Sequence, residues 1–299
     1  MITSFIFAIA GYALLAIVSI LDKFILSGSV KKITVYTFYS TIFFLAAFLI
    51  LPFCQAVNAG DLWWMIGSGL AYGFGLWTMF IALGDGEASH IMPFVGAVVA
   101  IATYGLSLAI LGEVLSSSVQ IGLWLLVMSC LLLSFEKSEK HNGFHKGFLW
   151  AIFSGILFGV SSVFAKHIYG VYPFITGLVW TKGTVGIVGL ITLFIPGTWK
   201  EINRLRHEPQ SDEKNGFSIV FTSKFLGIIA VVLVQYAIAL GSVTIVNALA
   251  GVEYVLMFVF IYMMTKFKPK VFSEYFTRRE LLVESSAIVL TVIGLLFLK

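Results

Sequence analysis

Long apolar runs alternate with short polar breaks from one end of the chain to the other. The runs fall near residues 2–21, 34–52, 62–82, 89–110, 117–135, 147–166, 172–195, 224–241, 243–265 and 280–298. Each is long enough to cross the ~30 Å hydrocarbon layer of a bilayer as a helix. Two breaks are longer than the rest. Pro196–Ser223 holds WKEINRLRH, which reads as a helix lying along the membrane surface with Trp199 as its anchor, and then the polar, flexible stretch EPQSDEKNG. Lys266–Arg279 is the other, and neither is long enough to form a soluble domain.

One break has an echo. Ile81–Gly96 reads IALGDGEASHIMPFVG, a polar island carrying Asp85, Glu87 and His90. Ile238–Glu253 reads IALGSVTIVNALAGVE; it opens on the same four residues and later presents Asn247. A second match joins Ala16–Lys23 (AIVSILDK) to Gly159–Lys166 (GVSSVFAK), and a third joins Leu131–Leu133 to Leu295–Phe297. The order of the three is consistent. It divides the chain into two related halves, 1–140 and 141–299. Five spans per half is an odd number, so the second half enters the membrane from the opposite side. The expected fold is all-α: ten transmembrane helices as two inverted five-helix repeats.

Composition agrees with the pattern. Apolar residues make up 59% of the chain and charged residues 11%, against about 25% charged in soluble domains. Mean hydropathy is +0.99. The runs are too long and too uniformly apolar for barrel strands. The net charge of +4 does not point to nucleic acid, because the basic residues lie in breaks beside the spans. Cys54 and Cys130 have neither metal-ligand nor disulfide spacing and read as packing residues. The first run lacks a basic leader and a small-residue cleavage site, so it reads as a retained span.

Charge also predicts orientation. The 1–2, 5–6, 7–8 and 9–10 breaks hold sixteen Lys and Arg residues, while Lys166 and Lys299 are on the other face. The positive-inside rule places the basic breaks in the cytoplasm and both termini outside, in the plasma membrane. Ile81–Gly96 is expected on the low-charge, outer face, with Glu87 and His90 flanking the mouth of a pathway.

The ten spans in two halves, the LDK and FAK ends of spans 1 and 6, the EASHIMP start of span 4 and the Leu111–Glu113 LGE that closes it resemble the EamA family of the drug/metabolite transporter superfamily. The resemblance runs over essentially the whole chain. It implies a central cavity lined by both halves and the export or exchange of small metabolites. Two features depart from it: LGE has no counterpart after span 9, where KFKPK (266–270) stands, and ten-helix relatives are usually described with cytoplasmic termini.

Ionisable residues within spans are costly and so tend to be paired or functional. Glu253 and Asn247 in span 9 read as substrate or coupling-ion ligands, or as cross-helix hydrogen-bonders. Lys182 in span 7 reads as a counter-charge for Glu253 or a binder of an anionic group. Glu87 and His90 share one helix face, as a proton-linked pair or as helix-end residues. Lys166 and Lys23 are repeat-related and either line the pathway or reach to the interface. Gln235 reads as interhelical glue and Glu113 as closing span 4 or capping span 5. Trp77, Tyr104, Trp180, Tyr236 and Tyr254 are candidate cavity aromatics, and Gly69/Gly73 and Gly155/Gly159 have close-packing spacing.

There is no P-loop, HExxH, CxxC or GxSxG, so neither nucleotide hydrolysis, a cofactor nor catalysis is indicated. His141 and His145 lack a third ligand, so no metal is expected. The leading expectation is a secondary transporter of a small solute, working as a monomer or a homodimer, with a proton, a cation gradient or exchange as the driving force. A lipid flippase and a non-transporting scaffold are the alternatives.

Overall fold

The computed structural model describes residues 2–28, 32–85, 88–134, 146–207, 211–267 and 278–298. No strand occurs among the described residues. The physical reason is the solvent: in hydrocarbon each backbone N–H and C=O must be satisfied within its own segment. The helices are α1 (Ile2–Gly28), α2 (Ile33–Ile42), α3 (Leu62–Asp85), α4 (Ala88–Leu106), α5 (Ser117–Ser134), α6 (Lys146–Val171), α7 (Phe174–Gly183), α8 (Val185–Leu193), α9 (Thr198–His207), α10 (Ser211–Leu240), α11 (Val243–Ala248), α12 (Ala250–Phe267) and α13 (Arg278–Phe297). Among the described residues nine helical segments are long and apolar enough to cross a membrane. The apolar part of α13, Leu282–Phe297, is shorter than these.

Four spans are not single α-helices. The second passes from α2 into a 3₁₀ segment, Phe43–Phe53, and the fourth from α4 into a π segment, Ser107–Leu111. The seventh is broken at Thr184 between α7 and α8, and the ninth at Leu249 between α11 and α12. The sequence reading treated all four as uniform. At the break in span 9, Leu249 N–H is shared between the Ile245 and Val246 carbonyls, both at 3.1 Å, the tightening that marks a helix changing pitch.

The connections also differ in places. WKEINRLRH forms α9, with Trp199 exposed and Arg204 paired to Glu201 at 2.9 Å. Most of the stretch read as flexible is instead helical, because α10 begins at Ser211. Acidic residue types at 212 and 213 favour a helix start there.

Spans pack in an order that is preserved when the halves are exchanged. α3 packs on α6 and α1 on α10; α4 packs on α6 and α12 on α1; α2 with its 3₁₀ extension packs on α7 and α8; α5 packs on α13. Lipid tails offer no hydrophobic advantage to helix contact, so close van der Waals approach through small residues holds such pairs. A Cβ on Gly155 would lie 2.5 Å from Val98 Cβ, and one on Gly159 would lie 2.9 Å from Ala102 Cβ, so this pair seats α6 on α4. Gly69 and Gly73 seat α3 against Thr184, at the span 7 break, and Val188, one turn beyond it. Gly122 faces Gly294 between α5 and α13. The main core cluster gathers Tyr12, Leu126, Cys130, Leu249, Tyr254 and Met257 from spans 1, 5 and 9.

Candidate functional site

Glu253 stands in the first turn of α12, just after the break in span 9. The break is what gives a mid-membrane carboxylate a helix N-terminus, whose exposed N–H groups and dipole favour negative charge. Only 6% of Glu253 is exposed. Ser19 of α1 donates its hydroxyl to Glu253 Oε1 at 2.8 Å. Tyr12, Tyr72, Cys130 and Tyr254 lie within electrostatic reach of the carboxylate. The ring of Tyr254 rests where a side chain on Gly96 would be, so α4 closes over it.

Lys182 stands in the last turn of α7, just before the break in span 7. It is 3% exposed, and its Nζ has no hydrogen-bond partner. The ammonium sits over the face of Tyr72, 4.0 Å from the ring centroid. Tyr72 on α3 therefore faces both ionisable residues: Lys182 on its ring and Glu253 within range of its field. Lys182 makes no hydrogen bond to Glu253, so a direct counter-charge pairing is not what the geometry provides.

The other sequence candidates are distributed around this centre. Asn247 Nδ2 donates to Thr103 Oγ1 at 2.9 Å, joining span 9 to span 4. Gln235 Oε1 accepts from the Tyr169 hydroxyl at 2.9 Å, joining α10 to α6. Tyr236 packs edge-on to Phe7 and Phe174. Trp180 meets Phe48 edge-on, and Trp77 stacks with its neighbour Phe74. Tyr104 is half-buried, and its carbonyl accepts from Ser107. Of the five aromatics named from sequence, Tyr254 lies within electrostatic reach of Glu253.

Lys166 is held by main-chain carbonyls. Its Nζ donates to the carbonyls of Ile238 (2.9 Å), Ala239 (3.2 Å) and Gly241 (2.7 Å) at the end of α10. The echoed IALG is thus a helix terminus whose orphan carbonyls are capped by a lysine, the arrangement that a helix dipole favours. Ser242 then starts α11 by accepting from Ile245 N at 3.0 Å. Glu113 belongs to the same end. Gly112 adopts φ 65°, which ends the π segment, and Glu113 Oε2 accepts from Thr244 Oγ1 at 2.9 Å. Thr244 also bonds Ser107 at 2.7 Å. LGE therefore works as a left-handed stop followed by an acceptor for the first turn of span 9, not as a cap for span 5.

The position expected for His90 is overturned. Its Nδ1 lies 3.2 Å from the Leu133 carbonyl at the end of α5. The start of α4 therefore shares a face with the Lys-rich 5–6 connection and lies opposite the low-charge face. The same face carries Lys32 Nζ bonded to the Pro196 carbonyl at 2.9 Å, and Lys224 bonded to Tyr36 at 2.9 Å. On the far face Tyr172 donates to Asp61 at 2.6 Å, tying the 2–3 and 6–7 connections. That bond to a carboxylate holds the Tyr172 phenol above its ordinary value. Glu87, His141, His145 and the Lys23 side chain lie outside the described residues. Among the described residues no group of three or more His, Cys, Asp or Glu is placed to hold a metal ion.

Tyr12, Ser19, Tyr72 and Thr103 were not singled out from sequence. Only Ser19 had a signal: it stands in AIVSILDK where Ser162 stands in GVSSVFAK.

These features define a multi-pass α-helical integral membrane protein whose buried polar residues converge from both ends of the chain. The sequence model of the EamA-like transporter family matches residues 145–274. That stretch, a little under half of the chain, is what is similar to the EamA-like transporter family. A comparison with curated proteins returns no match. A solved structure titled only as the crystal structure of a protein superposes with a TM-score of 0.64 at 18% identity. The superposition covers 99% of this chain and 94% of that one, and it shows a shared fold.

Proposed function

We propose that this chain is a secondary active transporter that moves a small solute by alternating access. Its two halves, 1–140 and 141–299, act as inverted five-span repeats that exchange conformations. The observation that carries this reading is the pair of interrupted spans. Breaks at Thr184 and Leu249 stand beside Lys182 and Glu253, both buried near the middle of their spans. Discontinuous helices near the midplane are how transporters bring helix ends and ionisable groups to a substrate or coupling ion. The exchange-invariant packing of the spans supports the repeat. The echoed IALG at the ends of α3 and α10 supports it again.

Glu253 is the coupling group in this reading. It is buried, and it receives a hydroxyl from the opposite half. Proton binding there, or displacement of a proton by solute, would change the Ser19–Glu253 contact between spans 1 and 9. The basic connections lie in the cytoplasm, both termini lie outside, and the membrane is the plasma membrane.

The test is solute counterflow in proteoliposomes, with a metabolite panel as candidate cargo. Uptake that exceeds protein-free vesicles and saturates supports the reading. Equal flux in both kinds of vesicle, across the panel, removes it.

A further inference from the structure

We infer that Lys182 is the recognition group for the negative charge of the solute, and that the solute is a monocarboxylate with an apolar or aromatic body. This rests on the transporter reading and names the cargo class for the same site. A buried ammonium has three N–H donors. Here all three are sealed from solvent with no acceptor, and the face of Tyr72 is the group that attracts the charge. Cation–π contact recovers part of the lost hydration and leaves the donors unused. An anionic oxygen arriving at Nζ would satisfy them, and the strong hydrogen bonds it formed would be charge-assisted.

The charge count sets the valence. All four arginines, Arg204, Arg206, Arg278 and Arg279, flank the spans and do not enter them. Among the described residues Lys166 and Lys224 stand towards the ends of their spans and Lys182 stands near the middle of its own, where one ammonium balances one negative charge. A phosphate dianion would stay half uncompensated in a site of low polarity.

The surroundings set the body. The Tyr72 ring under Nζ has Phe158 at 5.2 Å and Phe44 at 6.1 Å between centroids. These come from spans 6 and 2, so an apolar group beside the carboxylate would meet aromatic faces from both halves. Span 7 can also move at this point. It is broken one residue beyond Gly183, and Gly183 and Gly186 lie against Phe48 and Leu45 of span 2. A repacking of span 2 on span 7 would open Lys182 to one side of the membrane.

The experiment is a thermal-shift and calorimetric comparison on purified full-length protein. The probes are benzoate, phenylacetate and 4-hydroxybenzoate, each against its matching neutral amide. The expected result is stabilisation by at least one carboxylate and not by its amide, with affinity about 10- to 100-fold weaker in Lys182→Gln and largely kept in Lys182→Arg. Amides that bind as well as the acids overturn the proposal, as does a panel in which no carboxylate binds. Carboxylate affinity that is unchanged in a folded Lys182→Gln also overturns it. If Lys182→Gln does not fold, the acid–amide comparison on the unaltered protein still decides. Binding without flux in proteoliposomes would remove the transporter reading and leave the site; flux of neutral solutes that ignores Lys182 would do the reverse.

Discussion

Ser19 in the first span and Glu253 in the ninth are joined by a buried 2.8 Å hydrogen bond, and this contact ties together two helices from distant parts of the chain. Ser19→Ala removes a donor from a buried carboxylate and is expected to cost about 1–3 kcal/mol of stability. It should also alter the pH profile of transport, while Ser19→Thr retains a hydroxyl and most of the activity. Thermal unfolding and flux measured over a pH series test this pair.

Lys166 holds three carbonyls at the end of α10. Lys166→Met leaves them uncapped and should destabilise the protein by about 1.5–3 kcal/mol, the range for hydrogen bonds to a charged group. Lys166→Arg should recover part of the loss. A denaturation midpoint for each variant is the measurement, and a Met variant as stable as the parent would show that the cap is idle.

Small residues at span contacts make a contrasting pair. Gly155→Val drives methyl groups into Val98 and the Val95 carbonyl and is expected to cost about 1–3 kcal/mol or more. Gly170→Ala meets nothing within 4 Å and lies in α6. It should be neutral or stabilising by up to about 1 kcal/mol, because Ala loses less backbone freedom in a helix. Equal effects at both sites would contradict the packing described.

The placement of His90 beside Leu133 puts the 3–4 and 5–6 connections on one face. With Cys54 and Cys130 replaced, His141→Cys should react with an impermeant maleimide only after the cells are opened. Ser116→Cys, in the 4–5 connection, should react in intact cells. The reverse pattern would put the termini in the cytoplasm and leave the fold unchanged.

The spans were legible in the sequence because bilayer-length apolar runs have few other solutions. The breaks at Thr184 and Leu249 were not. Each is flanked by apolar or small residues, GTVG in one span and NALAG in the other, and hydropathy does not register a change of helix pitch. Glu253, Asn247 and Lys182 stood out because ionisable and amide groups are rare within spans. Tyr12 and Tyr72 did not, since a phenol among many aromatics carries no distinctive pattern. The face of His90 was misread although the sequence held the answer: an odd number of spans per half puts the 3–4 and 8–9 connections on opposite sides, and the 3–4 connection with the basic ones. Lys166 was ambiguous because its acceptors are main-chain carbonyls more than seventy residues away, which no side-chain pattern announces.

In the proposed transport cycle Glu253 couples solute movement to protons. Proteoliposomes loaded with a pH-sensitive dye measure this directly when a transported solute is added outside. The expected result is a solute-dependent pH change that is lost in Glu253→Gln, with solute exchange slowed or uncoupled from pH. A pH change and a flux that are both unaltered in a folded Glu253→Gln protein would contradict it.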